Sequence, residues 1–456
     1  MGKLFGTDGV RGIVGKDLTE DLATRIGASV SKVLKENLDK KNLTFLIGSD
    51  TRISKDMFTI AVSTGVLNEG CNIIDVGVLP TPAISYLTKK YGLDGAFVIS
   101  ASHNPSDYNG IKVLDKDGFK LSEELENKCE ELITSKDELL PSDECGVYTR
   151  NRDAIKDYTN FLLSTFDGDL RKLKVLVDTA NGAAYRTADI IFTRLYASGY
   201  IINNTPDGYN INKDSGSTHI DTLKEKVVSG QYDVGIAYDG DADRCILVDE
   251  LGNEIDGDFI LAIVGNYLKE NNELNNNTIV GTVMSNLGFV KFCKENGINF
   301  VDTQVGDKYV LEEMVKNGHS IGGEQSGHII FKDLMNTGDG ELTSLQILNI
   351  MTKTGKKLSE LASIMKKYPQ VLMNLDVTKE QKEEYKRRTD IHNTIKEYEK
   401  TMNGEGRILV RPSGTENLIR VMIEGKDIEE ITKLCEEIVE YLGKELTSKT
   451  YELKQD

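Results

Sequence analysis

Residues 44–76 read TFLIGSDTRISKDMFTIAVSTGVLNEGCNIIDV, and this stretch decides the fold class. Thr44–Ile47 and Asn72–Val76 are short runs of apolar and β-branched residues, the composition of strands. Between them Lys55–Asn68 carries apolar residues every three or four positions, the period of a helix with one buried face. Strand, helix and strand in that order make a βαβ unit, whose crossover implies a largely parallel sheet.

The same alternation extends outward. Leu22–Asn37 reads as a helix and Gly95–Ser100 as a strand. The pattern restarts at Leu173–Asp178 (LKVLVD), continuing through Val234–Tyr238 and Cys245–Val248, and again at Thr278–Met284 (TIVGTVM), before a helix from about Gly288. These restarts predict three α/β units of similar size. Leu372–Asp390 is strand-like and then highly charged (KEQKEEYKRRTD), a run read as a solvated helix face, and Asp427–Leu446 reads as a final amphipathic helix. A smaller α+β unit is therefore expected at the C-terminal end. The expected domains are residues 1–157, 158–253, 254–370 and 371–456.

A chain of 456 residues exceeds what one hydrophobic core supports, which agrees with several domains. The formal charge of −18 disfavours a nucleic-acid partner, because an acidic surface repels phosphodiester backbones. No apolar run approaches the ~18 residues of a membrane helix, and the first residues, MGKLFG, lack the apolar core of a signal peptide. The six cysteines lie far apart with no CxxC pair, as reduced thiols do in a cytoplasmic protein. Cytoplasmic location without a membrane partner is the expectation.

Four loops carry candidate chemistry. In Ile99-Ser-Ala-Ser-His-Asn-Pro105 the chain must turn sharply after a strand, presenting Ser102 as an exposed nucleophile with His103 beside it to orient the loop, or else forming a plain polar turn. In Tyr238-Asp-Gly-Asp-Ala-Asp-Arg244, three alternating aspartates (Asp239, Asp241, Asp243) can converge on one hard cation; without a cation they would form a solvated acidic turn. Glu250 stands at the twelfth position of that loop, but Arg244 occupies the sixth, where an EF-hand needs glycine, so Mg²⁺ on three aspartates is the better reading. In Gly322-Gly-Glu-Gln-Ser-Gly-His328, Glu324 and Ser326 would point to one side of an extended loop and suit vicinal sugar hydroxyls, although a glycine-rich turn explains the glycines equally. In Arg411-Pro-Ser-Gly-Thr-Glu416, Arg411, Ser413, Gly414 and Thr415 form a phosphate cradle or an ordinary turn, with Arg420 on the next strand. No GxGxxG or P-loop pattern occurs in usable context.

Taken together, in this order and spacing, the four loops resemble the α-D-phosphohexomutase superfamily along essentially the whole chain. The resemblance implies three similar mixed-sheet α/β domains plus a smaller C-terminal α+β domain around a central cleft. It implies a phosphoserine at Ser102, and Mg²⁺ held by Asp239, Asp241, Asp243 and the serine phosphate. It further implies Arg244 and Lys112 (in Asn109-Gly-Ile-Lys112) as charge stabilisers, Lys112 or His328 as proton relay, and Arg11 near the serine. Glu324 and Ser326 would bind the sugar, and Arg411, Ser413, Gly414 and Thr415, with Arg420, its phosphate.

Within the superfamily, Phe5-Gly-Thr-Asp-Gly-Val-Arg-Gly12, Thr282-Val-Met-Ser-Asn286, Asp307 in Val305-Gly-Asp-Lys-Tyr309 and Gln325 resemble the branch that acts on glucosamine phosphate. Asp307 stands where relatives acting on mannose and glucose phosphates carry histidine, which places it among the substrate-binding candidates. Asn417 departs from the proline usual after RPSGTE, which bears on the rigidity of that loop. The implied partners are a hexosamine phosphate and its bisphosphate intermediate, and a homodimer is compatible with the resemblance. A mutase of broader specificity and a non-catalytic sugar-phosphate sensor are the rival readings.

Overall fold

A computed structural model describes residues 4–6, 8–135, 144–413 and 417–452. The chain divides into two compact units, the first Met1–Ser285 with Gly297–Ile364, the second Asn286–Asn296 with Met365–Asp456. Among the described residues, no helix is long and apolar enough to cross a membrane.

The first unit holds three sheets. The six-stranded sheet comprises β1 (Val10–Ile13), β2 (Thr44–Ser49), β3 (Asn72–Val78), β4 (Gly95–Ile99), β5 (Tyr108–Asp115) and β6 (Tyr148–Arg150), in the order β1-β5-β4-β2-β3-β6. β2 pairs parallel with β3 and with β4, as the βαβ reading requires, whereas β5 runs antiparallel to β4 and β1, so the sheet is mixed. The five-stranded sheet comprises β7 (Lys174–Asp178), β8 (Ser198–Ile202), β9 (Val234–Tyr238), β10 (Cys245–Asp249) and β11 (Glu254–Ile255), ordered β11-β10-β9-β7-β8. The four-stranded sheet comprises β12 (Thr278–Thr282), β13 (Asn299–Thr303), β14 (Ile321–Gly323) and β15 (Ile329–Phe331), ordered β13-β12-β14-β15.

One device recurs in all three. A strand paired in parallel with one neighbour turns back as an antiparallel hairpin: β4 into β5, β9 into β10, β14 into β15. The three hairpin tips are residues 100–107, 239–244 and 324–328, the first three candidate loops. Sequence periodicity missed β5, because Asn109-Gly110 near its start reads as a turn, yet most of this strand is buried.

Helices cover the sheets. The helix Glu20–Leu38 begins two residues before its apolar period, because the Thr19 side chain accepts the Leu22 N–H at 3.2 Å and acidic residues fill the first turn. It crosses the helix Lys55–Asn68 with the two backbones in contact. A Cβ on Gly65 would lie 2.0 Å from the Thr24 carbonyl oxygen, and one on Gly27 2.2 Å from that of Val62. Ile26, Val30, Phe58 and Val62 pack with Phe45, Ile47, Phe97 and Ile99 of the sheet into one core.

The second unit has an antiparallel sheet of β16 (Gln370–Asp376), β17 (Arg407–Pro412) and β18 (Leu418–Glu424), ordered β16-β18-β17. Its core joins Ile419, Val421 and Ile423 to Ile431, Cys435, Ile438 and Leu442 of the helix Ile428–Glu452. The charged run forms the helix Lys379–Arg387, followed by Thr389–Thr401, and is only partly a solvated face: Tyr385 is buried and its hydroxyl donates to the Val410 carbonyl at 3.1 Å.

Alanine is the better helix former by about 1 kcal/mol, but overpacking a closed core costs about 1–3 kcal/mol. With backbone 2.0 Å from the new Cβ, strain wins at Gly65. Gly65→Ala is expected to lower the first thermal unfolding transition, read by calorimetry.

Candidate active site

Ser102 sits at the tip of the β4–β5 hairpin with φ 51°, a left-handed conformation unfavourable for a side-chain-bearing residue. Its Oγ donates to Asp239 Oδ2 at 2.7 Å and lies 3.4 Å from His103 Nδ1. The side chain is buried, 1% exposed, which corrects the expectation of an exposed nucleophile: the β9–β10 tip covers it. Gly240 makes that cover possible, since a Cβ there would meet the Ser102 carbonyl oxygen at 2.5 Å.

Asp239, Asp241 and Asp243 converge as the alternation predicted. They are buried, and one carboxylate oxygen from each lies within 4.8 Å of the others. Ala242, at φ 55°, turns the chain between them. Among the described residues Asp241 Oδ1 and Asp243 Oδ1 are buried with no hydrogen-bond partner, Asp243 Oδ1 lying 3.9 Å from Arg244 Nε, so the cluster offers hard oxygen donors with capacity to spare. That donor set fits Mg²⁺. Burial, then Asp243 and Asp241, push the Asp239 carboxyl above the ordinary range. Asp243 is held below it, because Lys112, His328 and Arg244 outweigh burial.

Lys112 projects from β5 into this cluster, 2.9 Å from Asp241 Oδ2, 3.0 Å from Asp8 Oδ2 and 3.5 Å from Asp243 Oδ2. Burial opposes its charge, yet Asp241, Asp8 and Asp243 hold the ammonium above the usual lysine range. The ammonium is thus held by three carboxylates, two of them in the aspartate trio. The chain of polar contacts continues: Lys120 Nζ reaches Asp8 Oδ1 and Asp307 Oδ2, each at 2.7 Å, and Asp307 Oδ2 lies 3.6 Å from His328 Nε2, whose Nδ1 is 3.8 Å from Asp243. Asp8, Lys112, Asp243, His328, Asp307 and Lys120 thus close a ring through all three sheets' domains. Asp307, expected to face substrate, has both oxygens bonded to Lys120. Arg11 pairs with Asp8.

At His328, burial disfavours the imidazolium while Asp243 and Asp307 favour it, raising the pKa to about 9. The Gly338 N–H nevertheless points at Nε2 from 3.0 Å and needs a lone pair there. A cation on Asp243 cancels the attraction that favours the charged ring, so the neutral Nδ1–H tautomer agrees with the hydrogen bond and with an occupied cluster. His103 is pushed down to about 4 by burial, Arg244 and Arg11. Arg244 is raised, since Asp239, Asp243 and Glu324 outweigh its burial.

The third hairpin tip is a turn and not an extended segment: the Gly327 N–H donates to the Glu324 carbonyl at 3.0 Å. Glu324 Oε1 accepts the Gly306 N–H at 3.0 Å, and Ser326 is exposed, so the two are not the matched pair that an extended loop would make.

In the second unit, Arg411 and Arg420 are direct cross-strand partners on β17 and β18. Burial and the Arg420 charge opposite lower the Arg411 pKa. Ser413 follows, buried, and its carbonyl accepts from Lys382 Nζ at 2.5 Å, so the charged helix supports this loop. Gly414 and Thr415 lie outside the described residues.

Sequence reasoning missed Asp8, Lys120, Thr81, whose hydroxyl donates to Asp241 Oδ2 at 2.6 Å, and Arg52 beneath the serine loop. Asp8 was within reach, lying inside the quoted Phe5–Gly12 stretch. Thr81 opens a helix, and Arg52 and Lys120 lie in connections between elements, where an isolated polar residue reads as surface.

Comparison with known proteins agrees with this arrangement. Residues 2–140, 155–252 and 256–368 match the phosphoglucomutase/phosphomannomutase alpha/beta/alpha domains I, II and III, and residues 372–441 the C-terminal domain of the same family. The phosphoglucosamine mutase of Clostridium novyi (strain NT) is 52% identical over 439 residues, covering 95% of this chain and 97% of the relative. Among solved structures, a phosphoglucomutase/phosphomannomutase family protein from Burkholderia thailandensis superposes with a TM-score of 0.80 at 20% identity, covering 98% of each chain. Aspergillus fumigatus N-acetylphosphoglucosamine mutase, in complex with GlcNAc-6P and magnesium, does so with a TM-score of 0.68 at 16% identity, over 97% of this chain and 96% of that one. With all four domains matched in order and half of its residues shared with a full-length relative, the chain belongs to the phosphoglucosamine mutase branch of the phosphoglucomutase/phosphomannomutase family.

Proposed function

We propose that this chain interconverts glucosamine 6-phosphate and glucosamine 1-phosphate by passing phosphate through Ser102, supplying amino-sugar nucleotide synthesis in the cytoplasm. The observation that carries the reading is the 2.7 Å bond from the Ser102 hydroxyl to Asp239, inside a buried trio of carboxylates with unpartnered oxygens. A phosphate on Ser102 would stand beside that trio. All six cysteines are free thiols, which supports the cytoplasmic placement, and domain boundaries near residues 157, 253 and 370 keep one candidate loop in each domain.

In the forward direction the sugar O1 hydroxyl attacks the phosphorus of phospho-Ser102. The O1–P bond forms, the Oγ–P bond breaks, the sugar hydroxyl proton passes to a base, and Ser102 Oγ takes up a proton as it leaves, giving glucosamine 1,6-bisphosphate and the free serine hydroxyl. The bisphosphate turns over, Ser102 Oγ gives up its proton and attacks the phosphorus of the 6-phosphate, the O6–P bond breaks with O6 taking a proton, and glucosamine 1-phosphate departs from the rephosphorylated enzyme. Asp239, Asp241 and Asp243, with the serine phosphate, would hold Mg²⁺, which when bound draws charge from the phosphoryl oxygens. Arg244 and Lys112 contribute positive charge on the same side. His103, with its ring nitrogen 3.4 Å from Ser102 Oγ, serves the proton of the serine hydroxyl as that oxygen leaves or attacks, and Lys112 or His328 serves the proton of the sugar hydroxyl. Glu324 and Ser326 recognise the sugar, and Arg411, Ser413, Gly414, Thr415 and Arg420 grip the distal phosphate, a role the opposed arginines support. Asp307 acts through Lys120.

Three outcomes test this. Ser102→Ala is expected to remove turnover and the single phosphate seen by intact-protein mass spectrometry, with an unchanged thermal midpoint; retained turnover with bisphosphate present would assign the nucleophile elsewhere. Asp241→Asn removes a direct ligand, and since supporting groups alone cost about 10–100-fold in metal affinity, the Mg²⁺ activation midpoint should rise at least that far. In a coupled assay, glucosamine 6-phosphate should turn over faster than glucose 6-phosphate or mannose 6-phosphate; equal rates would favour the broader mutase, and binding without turnover the sensor.

A further inference from the structure

Arg52 is wholly buried, 0% exposed, and stands outside the reacting groups. Its guanidinium has five N–H donors, and each has an acceptor. Nε donates to Asp50 Oδ2 at 2.9 Å. Nη2 donates to the carbonyls of Ser102 (3.0 Å) and Asn104 (2.8 Å), and Nη1 to those of Tyr108 (3.1 Å) and Pro105. Four of the five therefore converge on main-chain oxygens of one segment, three in the loop that carries Ser102 and the fourth at Tyr108, where β5 begins. Asp50 completes the arrangement, as its Oδ2 also accepts the Ser100 hydroxyl at 2.6 Å, whose oxygen in turn accepts the Ser102 N–H at 3.0 Å. From the second sheet's domain, Asn212 Nδ2 donates to the same two carbonyls, Ser102 at 2.8 Å and Asn104 at 3.1 Å.

A buried charge is costly, and packing alone does not require a planar five-donor fork beneath a turn. Such a fork suits a loop whose carbonyls must all be turned inward. The left-handed φ of Ser102 follows from that requirement, because the carbonyls face Arg52 while Oγ faces Asp239. We infer that Arg52 is the positioning residue of the phosphoryl-transfer step: with Asn212 it clamps the Ser102 loop from its carbonyl side and thereby fixes Oγ against the aspartate trio. The inference rests on Ser102 being the phosphate carrier. The clamp touches only main-chain oxygens and Asp50, so it acts alike on the bare and the phosphorylated serine.

The test compares Arg52→Lys, Arg52→Ala and Asn212→Ala in the full-length enzyme. An ammonium keeps the charge beside Asp50 but has three donors and no fork, so Arg52→Lys should fold yet lose about 100-fold in kcat, the scale expected for a 1 Å misplacement, with KM for the sugar phosphate within twofold. In Arg52→Ala, added guanidinium should restore part of kcat at concentrations that leave Ser102→Ala inactive. Phosphorus NMR of the metal-free phosphoenzyme gives a readout independent of turnover: the phosphoserine resonance should broaden or move in Arg52→Lys. Should the Arg52 variants fail to fold, Asn212→Ala leaves the fork in place and removes the outer donor, and is expected to lower kcat about tenfold without changing KM. Folded Arg52→Lys with wild-type kcat and an unmoved resonance overturns the positioning role, as does a loss expressed in KM alone, or wild-type kcat in Asn212→Ala when the Arg52 variants do not fold. Absence of phosphate from Ser102 in the active wild-type enzyme instead overturns the reading on which the role rests.

Discussion

The structure depends on holding three carboxylates together in a place with little water. At an effective dielectric of about 20, a pair of unit charges some 4–5 Å apart repels by about 3–4 kcal/mol, so three pairs approach the whole stability of an ordinary domain. Asp239, Asp241 and Asp243 are in that situation, buried and within 4.8 Å of one another. Their surroundings read as the answer. Lys112 enters from the first sheet, His328 faces Asp243 from the third, and the Ser102 and Thr81 hydroxyls donate to Asp239 and Asp241. What remains, among the described residues, is two carboxylate oxygens with no hydrogen-bond partner. A divalent cation resolves that remainder, and the same remainder creates the place where a phosphoryl group can be drawn on.

The three sheets of the first unit supply these parts by one construction. Each turns a strand back on itself as an antiparallel hairpin, and the tips deliver Ser102, the aspartates and the Glu324 turn. The paired strands on either side of each tip anchor both its ends, and groups that must meet closely need such support. The C-terminal unit differs in kind: its phosphate candidates follow a strand of a wholly antiparallel sheet, with Arg411 and Arg420 opposed across it.

Much of this was legible in the sequence because the informative residues cluster. DGDAD places three aspartates in one turn, and nothing but a cation explains them well. The βαβ pattern of residues 44–76 gave the parallel pairing of β2 with β3 and the helix Lys55–Asn68 to the residue. Less legible was whatever depends on contact between distant segments. Ser102 looked exposed because the covering tip lies 137 residues away. The contacts that hold Lys112 were not legible, because its three carboxylate neighbours come from two other loops. Arg52 carried no signal, since an arginine after a strand reads as surface until five acceptors are found around it. The 379–390 run looked solvated because one buried tyrosine and one lysine bonded to a carbonyl are invisible to a charge count.

The pairing of β4 with β5 sets Val98 opposite Lys112 and Ile99 opposite Ile111. Side chains alternate between the two faces of a strand, so this ladder works as a ruler with a pitch of two residues. Lengthening the Ser102 loop by one residue, with β5 sliding to accommodate it, would carry the ammonium to the opposite face and bring an aliphatic neighbour towards the acidic trio. The spacing between serine and lysine is thus a mechanical dimension of the enzyme, tolerant of changed residue identity and intolerant of changed count.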